Sequence, residues 1–565
     1  MASNIELDLC SDIILSHFGP IVLEVATLLL SRGRSNLKYI TLQTKKPKSH
    51  IRDVLTILIQ HNLVTYASNV ERGRIVVYYE IVVANVLLRD RFANYVLFIK
   101  EILKNTASTV LETILLHGRL QPFDILNEIW KIRLLNSKQK ETHLISPILD
   151  EDDKDDVESQ KIAQRKLFEE VKSEVHTAVL DLLNWGFIVP VTKEEQNTLV
   201  DRQINEENDE IEKGGMILTA TERKKLRARL NAQRTATEDD VPTGTKRKLL
   251  VTFEEIEEKE KNGEDINLMF DSDKSYKVNF VKFHIHFRNL EIIKYAEINV
   301  NGPASELVGV FITQVIDQMK RIKEDVSEPV SLSNFGIKIT QSEPRVMLPM
   351  HGCTPTSGIN PVYEYLQLMS HDDIPIFKRQ DEMGGGKYVV RLKDMATKFR
   401  SEIIETIAME KCGQVGKRVW RILKEKLKID DKEIAKQAVV EEKEARTALY
   451  KLLQFGLVFM QDVPKTLDHS ASRTIILWFV DINRTSEILL QNSYKTIHRL
   501  KIRHAYQLEK RKVLIEKANR TDILSGVGKL PANDLKLYEI LKSECKQLVG
   551  QIQRLDQMVM KLRDF

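Results

Sequence analysis

A short apolar pattern that recurs along the chain constrains its fold more than any other feature. The three best copies are VLTILIQHNLV (Val54–Val64), AVLDLLNWGFI (Ala178–Ile188) and ALYKLLQFGLV (Ala448–Val458). Aligned on Asn62, Gly186 and Gly456, they share apolar residues four, seven and eleven positions earlier. This spacing predicts the buried stripe of an amphipathic helix in each copy.

Each of these helices should end at the aligned residue, because asparagine and glycine tolerate a left-handed C-terminal cap. An apolar pair follows immediately and begins a strand. After the first copy a second β-branched run spans Ile75–Val83, and after the last copy Leu457–Val463 and Thr474–Val480 form a similar pair. A helix followed by a two-stranded hairpin is the second half of a winged helix.

A weaker fourth copy lies at Val362–Ile374, with Asp373 aligned to the cap. Its predicted hairpin pairs Ile374–Lys378 with Lys387–Leu392 around a glycine-rich turn. Four copies predict a mainly α-helical chain with small β wings, built from four tandem winged-helix domains.

Two charged segments interrupt the second copy. An acidic run at 150–158 precedes its helix, and a long insertion of alternating charge blocks spans 193–275, where the turn of its wing should be. The returning wing strand is predicted at Tyr276–Phe287, where apolar and polar residues alternate.

Four heptads of apolar residues mark the C-terminal segment as one helix of a coiled coil. The predicted seam comprises Tyr538, Leu541, Cys545, Leu548, Ile552, Leu555, Val559 and Leu562. Its predicted partner is the preceding helix, Thr485–Ala518, which gives an antiparallel hairpin. The predicted domains are winged helices at 1–88, 89–287, 288–393 and 394–482, followed by the coiled-coil hairpin at 483–565.

The chain is nearly neutral overall, with 85 Lys and Arg against 81 Asp and Glu, so any contact with nucleic acid must come from local patches. The clearest patch surrounds the predicted third helix and wing of the first domain. Its candidate DNA-backbone contacts are Lys45, Lys46, Lys48, Arg52, Arg72 and Arg74. The alternative is a solvated helix face. The corresponding helix of the last domain begins Glu441-Glu442-Lys443-Glu444, which would repel phosphate.

A second basic region is the helix Lys495–Arg520, which carries nine Lys or Arg against two Glu. It is either a solvated face or a docking surface for nucleic acid or an acidic partner.

No motif of an enzyme is present. His284 and His286 would share one side of the predicted strand, but no third metal ligand lies nearby in the sequence. The glycines before Lys387 lack the spacing and the following helix of a phosphate loop. We therefore expect no catalytic residue, no cofactor, no metal, no small-molecule substrate and no membrane contact.

The segments SDIILSHFGPIVLEVATLLLSRGR (Ser11–Arg34) and YKVNFVKFHIHFRNLEII (Tyr276–Ile293) resemble members of one family. This is the RNA polymerase III subunit related to the alpha chain of transcription factor IIE. The order of the repeats, the position of the insertion and the C-terminal heptads resemble it too. The resemblance implies four extended winged helices followed by a coiled-coil hairpin.

The resemblance also implies a nuclear role in transcription. Family members form a heterotrimer with two other specific subunits, dock on the clamp of the polymerase and support promoter opening at genes for tRNA and other small RNAs. The catalytic magnesium belongs to the largest subunit, so the family implies no catalytic residue in this chain. The alternative is a free-standing regulator that binds DNA through its first winged helix.

Overall fold

A computed structural model describes residues 4–71, 74–142, 154–191, 274–319, 321–341, 361–371, 375–381, 386–464, 474–520 and 530–565, with a few isolated positions between them. The helices are α1 (Asn4–Phe18), α2 (Pro20–Arg32), α3 (Leu37–Thr44), α4 (Lys48–Gln60), α5 (Val83–Leu87), α6 (Phe92–Ile102), α7 (Asn105–His117), α8 (Pro122–Thr142), α9 (Lys154–Asn184), α10 (Phe280–Asn299), α11 (Gly302–Val315), α12 (Leu332–Gln341), α13 (Pro361–Leu368), α14 (Leu392–Glu425), α15 (Asp431–Ala438), α16 (Glu442–Gln454), α17 (Ile482–Lys510), α18 (Lys512–Ala518) and α19 (Ala532–Val559). The strands are β1 (Ser35–Asn36), β2 (Val64–Glu71), β3 (Arg74–Ile81), β4 (Ile188–Pro190), β5 (Tyr276–Val278), β6 (Val330–Ser331), β7 (Phe377–Asp381), β8 (Lys387–Val390), β9 (Lys428–Asp430), β10 (Phe459–Pro464) and β11 (Thr474–Phe479).

The chain is mainly helical with small antiparallel sheets, as the sequence predicts. Three sheets have the same order, in which a short first strand pairs with the last strand of a hairpin: β1-β3-β2, β6-β8-β7 and β9-β11-β10. The fourth sheet pairs β4 with β5, and an antiparallel bridge from Leu120 to Tyr276 stands where the others have their short strand.

The helix caps of the three best copies are alike and confirm the predicted left-handed conformation. Their φ angles are 58° at Asn62, 72° at Gly186 and 70° at Gly456. In each copy the next residue donates its backbone N–H to the carbonyl oxygen five residues earlier, at 2.9 Å. The pairs are Leu63 to Leu58, Phe187 to Leu182, and Leu457 to Leu452. The cap reverses the chain into the first strand of the hairpin.

In the fourth copy the apolar stripe is as predicted, but the strand begins later. Val362, Leu366 and Met369 are buried. The Met369 carbonyl accepts from the N–H of Ile376, seven residues on, at 3.1 Å. The turn is therefore two residues longer than in the other copies, and the strand begins at Phe377 instead of Ile374. Asp373 lies outside the described residues.

The predicted strand at Tyr276–Phe287 is wrong beyond its first three residues. Only Tyr276–Val278 is a strand, and a 20-residue helix begins at Phe280. Lys282, Phe283, His284 and Ile285 in its first turns are all buried. A helix segment that is buried on all sides shows no amphipathic stripe. Its chance alternation of apolar and polar residues can therefore resemble the pattern of a strand.

The charged segments are only partly described. The acidic run is seen from Lys154 onward, where it opens α9. The insertion at 193–275 lies outside the described residues, apart from isolated positions and its last two residues.

The chain folds into two compact units. One comprises residues 10–283, and the other comprises 284–565 with residues 4–9. In the first unit Tyr95, Phe98, Phe187 and Phe283 form an aromatic core, with ring centroids 4.7–6.1 Å apart. The second unit has one core around Phe311 and Phe377 and another around Trp420, Leu449 and Trp478.

The last two long helices pack on each other. α17 packs along α19, and Arg511 donates to Glu544 at 3.2 Å. The predicted single helix Thr485–Ala518 is interrupted at Arg511, whose φ and ψ of −112° and 24° are not helical. α18 continues beyond this break.

Candidate nucleic-acid interface

The basic cluster of the first winged helix is built around the turn between α3 and α4. Asn36 caps the start of α3 by accepting the N–H of Tyr39 at 2.9 Å. The helix ends at Lys45, which has φ 53°, and the Lys45 N–H donates to the Thr41 carbonyl at 3.1 Å. Pro47 then starts α4. The turn thus places Lys45, Lys46 and Lys48 within four residues of one another.

The lysines of this cluster differ in availability. Lys45, Lys48 and Arg52 are exposed. Lys46 is half-buried, and its ammonium lies 2.5 Å from Glu24 Oε2. The charge of Lys46 is therefore balanced within the fold, and Lys46 is the weakest candidate of the set.

Arg52 and Arg74 connect the cluster to the wing. Burial raises the pKa of Tyr79 on β3, and the nearby charge of Arg52 acts in the opposite direction, so Arg52 lies beside the hairpin. Arg74 is exposed and opens β3, paired with Glu71 at the wing tip. Arg72 lies outside the described residues.

The N-terminal end of α4 favours an anion. Its N-cap, Pro47, makes no side-chain cap, and its first turn holds no acidic residue. Free backbone N–H groups and the helix dipole at such an end attract phosphate. In contrast, α16 carries Glu442 and Glu444 in its first turn. The two corresponding helices therefore present opposite electrostatics.

The other end of α4 is fixed by the segment that follows the wing. Arg119 donates its backbone N–H to the Gln60 carbonyl at 3.1 Å and its Nε to Asn62 Oδ1 at 2.7 Å. Asn85 Nδ2 donates to the Asn62 carbonyl at 2.7 Å. Gly118 has φ 87°, and a Cβ there would lie 2.3 Å from the Gln60 oxygen. These contacts hold α4 in a fixed orientation.

A buried cation supports the same junction. Arg89 lies over the rings of Phe18 and Phe92, 4.5 and 5.1 Å from their centroids. Burial, together with the charge of Arg89, lowers the pKa of His61 to about 4. His61 also packs edge-on against Phe18, with the ring centroids 4.9 Å apart. His61 is therefore neutral at physiological pH.

One exposed basic residue escaped the sequence analysis. Arg34 precedes β1, and its guanidinium lies 5.6 Å from the centroid of the Tyr78 ring on β3. Its position directly before the short strand could have indicated this contact, because β1 pairs with β3 and brings Arg34 beside the wing.

The predicted histidine pair does not share a side. His284 and His286 lie in α10, where residues two apart point about 200° apart around the axis. Within the described residues, no group of three or more His, Cys, Asp and Glu could hold a metal ion. In the same ranges, no helix is long and apolar enough to cross a membrane. Gly386 leads directly into β8, which pairs with β7 as an antiparallel strand, and not into the helix of a phosphate loop, whereas Gly384 and Gly385 lie outside the described residues.

The predicted seam faces inward along α19. Leu541 and Val559 are buried, and the other five seam residues on α19 are half-buried. Most residues between these positions are exposed. Leu562 lies beyond the end of α19 and is buried in the core around Trp420.

Three family models match the chain in order. Residues 8–69 match "RNA polymerase III subunit RPC82 helix-turn-helix domain", and residues 177–399 match "RNA polymerase III subunit RPC82". Residues 404–480 match "POLR3C, C-terminal winged-helix domain". The chain belongs to the RNA polymerase III subunit RPC82 family. The first of these matches contains the turn from Lys45 to Lys48.

Whole-chain relatives of this family agree. The "DNA-directed RNA polymerase III subunit RPC3" proteins of Mus musculus and Homo sapiens are each 25% identical over 548 residues, which is 95% of this chain and 90% of theirs. The corresponding protein of Aspergillus clavatus is 23% identical over the whole of both chains.

Proposed function

We propose that this chain is a specific, non-catalytic subunit of DNA-directed RNA polymerase III that acts in the nucleus. The observation that carries the proposal is the similarity to relatives named as RNA polymerase III subunits over 95% of the chain. The family models that match residues 8–69 and 177–399 are also named for an RNA polymerase III subunit. No observation favours the free-standing regulator.

The proposed architecture is four tandem winged helices followed by an antiparallel coiled-coil hairpin. The repeated sheet order supports four copies, because three sheets share it and the fourth replaces its short strand by a bridge at Leu120. The inward-facing heptad positions of α19 and its packing along α17 support the hairpin. The domain boundaries from the sequence remain part of this proposal, and those at 287/288 and 393/394 fall inside α10 and α14.

The proposed role is to join two other specific subunits in a heterotrimer on the polymerase clamp and to help open promoters of tRNA and other small RNA genes. Lys45, Lys48, Arg52 and Arg74 would contact the DNA backbone without reading sequence. Their exposure, and the uncapped end of α4, support this contact. The acidic start of α16 suits a protein surface better than DNA.

The direct test is affinity purification of the tagged full-length chain from nuclear extract, followed by gel filtration. We expect the chain to elute in a very large complex that contains the largest subunit of RNA polymerase III. Elution as a monomer or dimer, without polymerase subunits, would overturn the proposal.

A further inference from the structure

The outer face of α17, which points away from α19, carries apolar side chains that the packing of the two helices does not explain. Ile497 is 4% exposed, and Arg511 on nearly the same side reaches Glu544 of α19. At 100° per residue, Ile502 and Tyr506 lie roughly 140° and 180° around the helix from Ile497. They are 51% and 59% exposed. A solvated outer face is normally polar, so two large apolar residues one turn apart indicate a contact surface.

Basic residues surround this pair. We name as the outer stripe the residues Lys495, Arg499, Ile502, Arg503, Tyr506 and Lys510. All six are exposed. Between Lys495 and Lys510 the sequence holds a single carboxylate, Glu509. Two of the four acidic residues of α19 are engaged elsewhere, since Glu544 pairs with Arg511 and Asp534 pairs with Lys517. The hairpin itself thus supplies little to balance the outer stripe.

We propose that the outer stripe binds an acidic amphipathic helix of a partner protein. The apolar side of that helix would cover Ile502 and Tyr506, and its carboxylates would face the arginines and lysines. The result is a three-helix bundle made from the hairpin and one partner segment. Because the partner is sought within the polymerase assembly, this inference rests on the proposed function.

Two other occupants fit less well. The backbone of duplex DNA would pair with the cations but would leave Ile502 and Tyr506 exposed to water. A second copy of the chain, packed about a two-fold axis, would set the same cations against each other. An acidic segment with apolar residues satisfies both the charge and the apolar surface.

The test places the photo-crosslinking residue p-benzoylphenylalanine at position 506 of the tagged full-length chain, which is then purified within the polymerase. A control chain carries the same probe at position 535 on α19, where Leu535 is 46% exposed. We expect irradiation to link position 506 to a partner segment rich in Asp and Glu, with apolar residues three or four apart. Replacing Arg499→Glu and Arg503→Glu should lower this yield by about tenfold or more, and the probe at position 535 should not reach the same segment.

The outcomes separate the two proposals. Recovery of the largest polymerase subunit with the tagged chain tests the proposed function, and its absence overturns both proposals. If the polymerase is recovered, a link from position 506 to nucleic acid, to another copy of the chain or to a segment without an acidic surplus overturns only this inference. The same holds if no link forms in the assembled polymerase.

Discussion

Neutralising the basic cluster of the first winged helix should weaken DNA binding and make that binding less dependent on salt. The number of exposed basic residues sets the size of the effect. The variant replaces Lys45, Lys48, Arg52 and Arg74 by alanine and leaves Lys46, whose charge is balanced by Glu24. Each phosphate contact contributes ~0.9 to the slope of log affinity against log salt, so four contacts set an upper limit of about 3.6.

This limit translates into a measurable difference in affinity. Between 50 and 200 mM salt, the wild-type chain should lose up to about 150-fold more affinity than the variant. The loss should be similar for unrelated DNA sequences, because phosphate contacts carry no sequence information. Fluorescence anisotropy with labelled duplex and bubble DNA over a salt series measures both quantities.

A matched control removes the same charge from the last winged helix. Lys426, Lys432, Lys443 and Lys451 are exposed there, and their replacement by alanine should leave the salt slope nearly unchanged. If the first variant keeps the wild-type slope on every DNA, the first winged helix is not a DNA contact. If affinity falls for one promoter sequence only, the free-standing regulator is the better reading.

Three further changes test the packing. Gly118→Ala should accelerate hydrogen exchange of the amides at the end of α4, because its Cβ would clash with the Gln60 oxygen and its positive φ would add strain of roughly 1–3 kcal/mol. Gly186→Ala has a similar φ of 72° but open space for a Cβ, so it should accelerate exchange less in its own helix. Equal acceleration by the two variants would refute the clash. Leu548→Asp with Leu555→Asp should cost roughly 0.5–3 kcal/mol per half-buried site and lower the melting temperature, whereas an unchanged melting temperature would contradict the seam. Because the pKa of His61 is lowered to about 4 in the fold, its contribution to stability is complete above pH 6.5 and is lost as the pH falls toward 4. His61→Gln should therefore reduce the change of melting temperature with pH over that range. An unaltered pH dependence of the melting temperature would contradict the burial of His61.

The elements that the sequence predicts correctly are those governed by local chemistry. The caps at Asn62, Gly186 and Gly456 follow from the backbone freedom of asparagine and glycine, and each is preceded by an apolar stripe with helical period. The first basic cluster is local too, because Lys45 to Lys48 are neighbours in the chain. These features need no knowledge of the rest of the fold.

The features that escape prediction depend on contacts between distant residues. In the first turns of α10 the five consecutive residues 282–286 are all buried, so this part of the sequence lacks the stripe that identifies other helices. The junction at Gly118 joins residues about sixty positions apart, and no local pattern indicates that a Cβ there would meet the Gln60 oxygen. The pairing of Lys46 with Glu24 is also non-local, and it weakens one predicted DNA contact.

The most direct test of a role in initiation compares two reactions of RNA polymerase III purified with and without this chain. We expect polymerase lacking the chain to extend RNA normally on a preassembled DNA–RNA scaffold but to fail to open and transcribe a duplex tRNA promoter. Adding the chain with its partner subunits should restore initiation. Loss of nucleotide addition on the scaffold, or normal promoter opening without the chain, would contradict a non-catalytic subunit that acts in initiation.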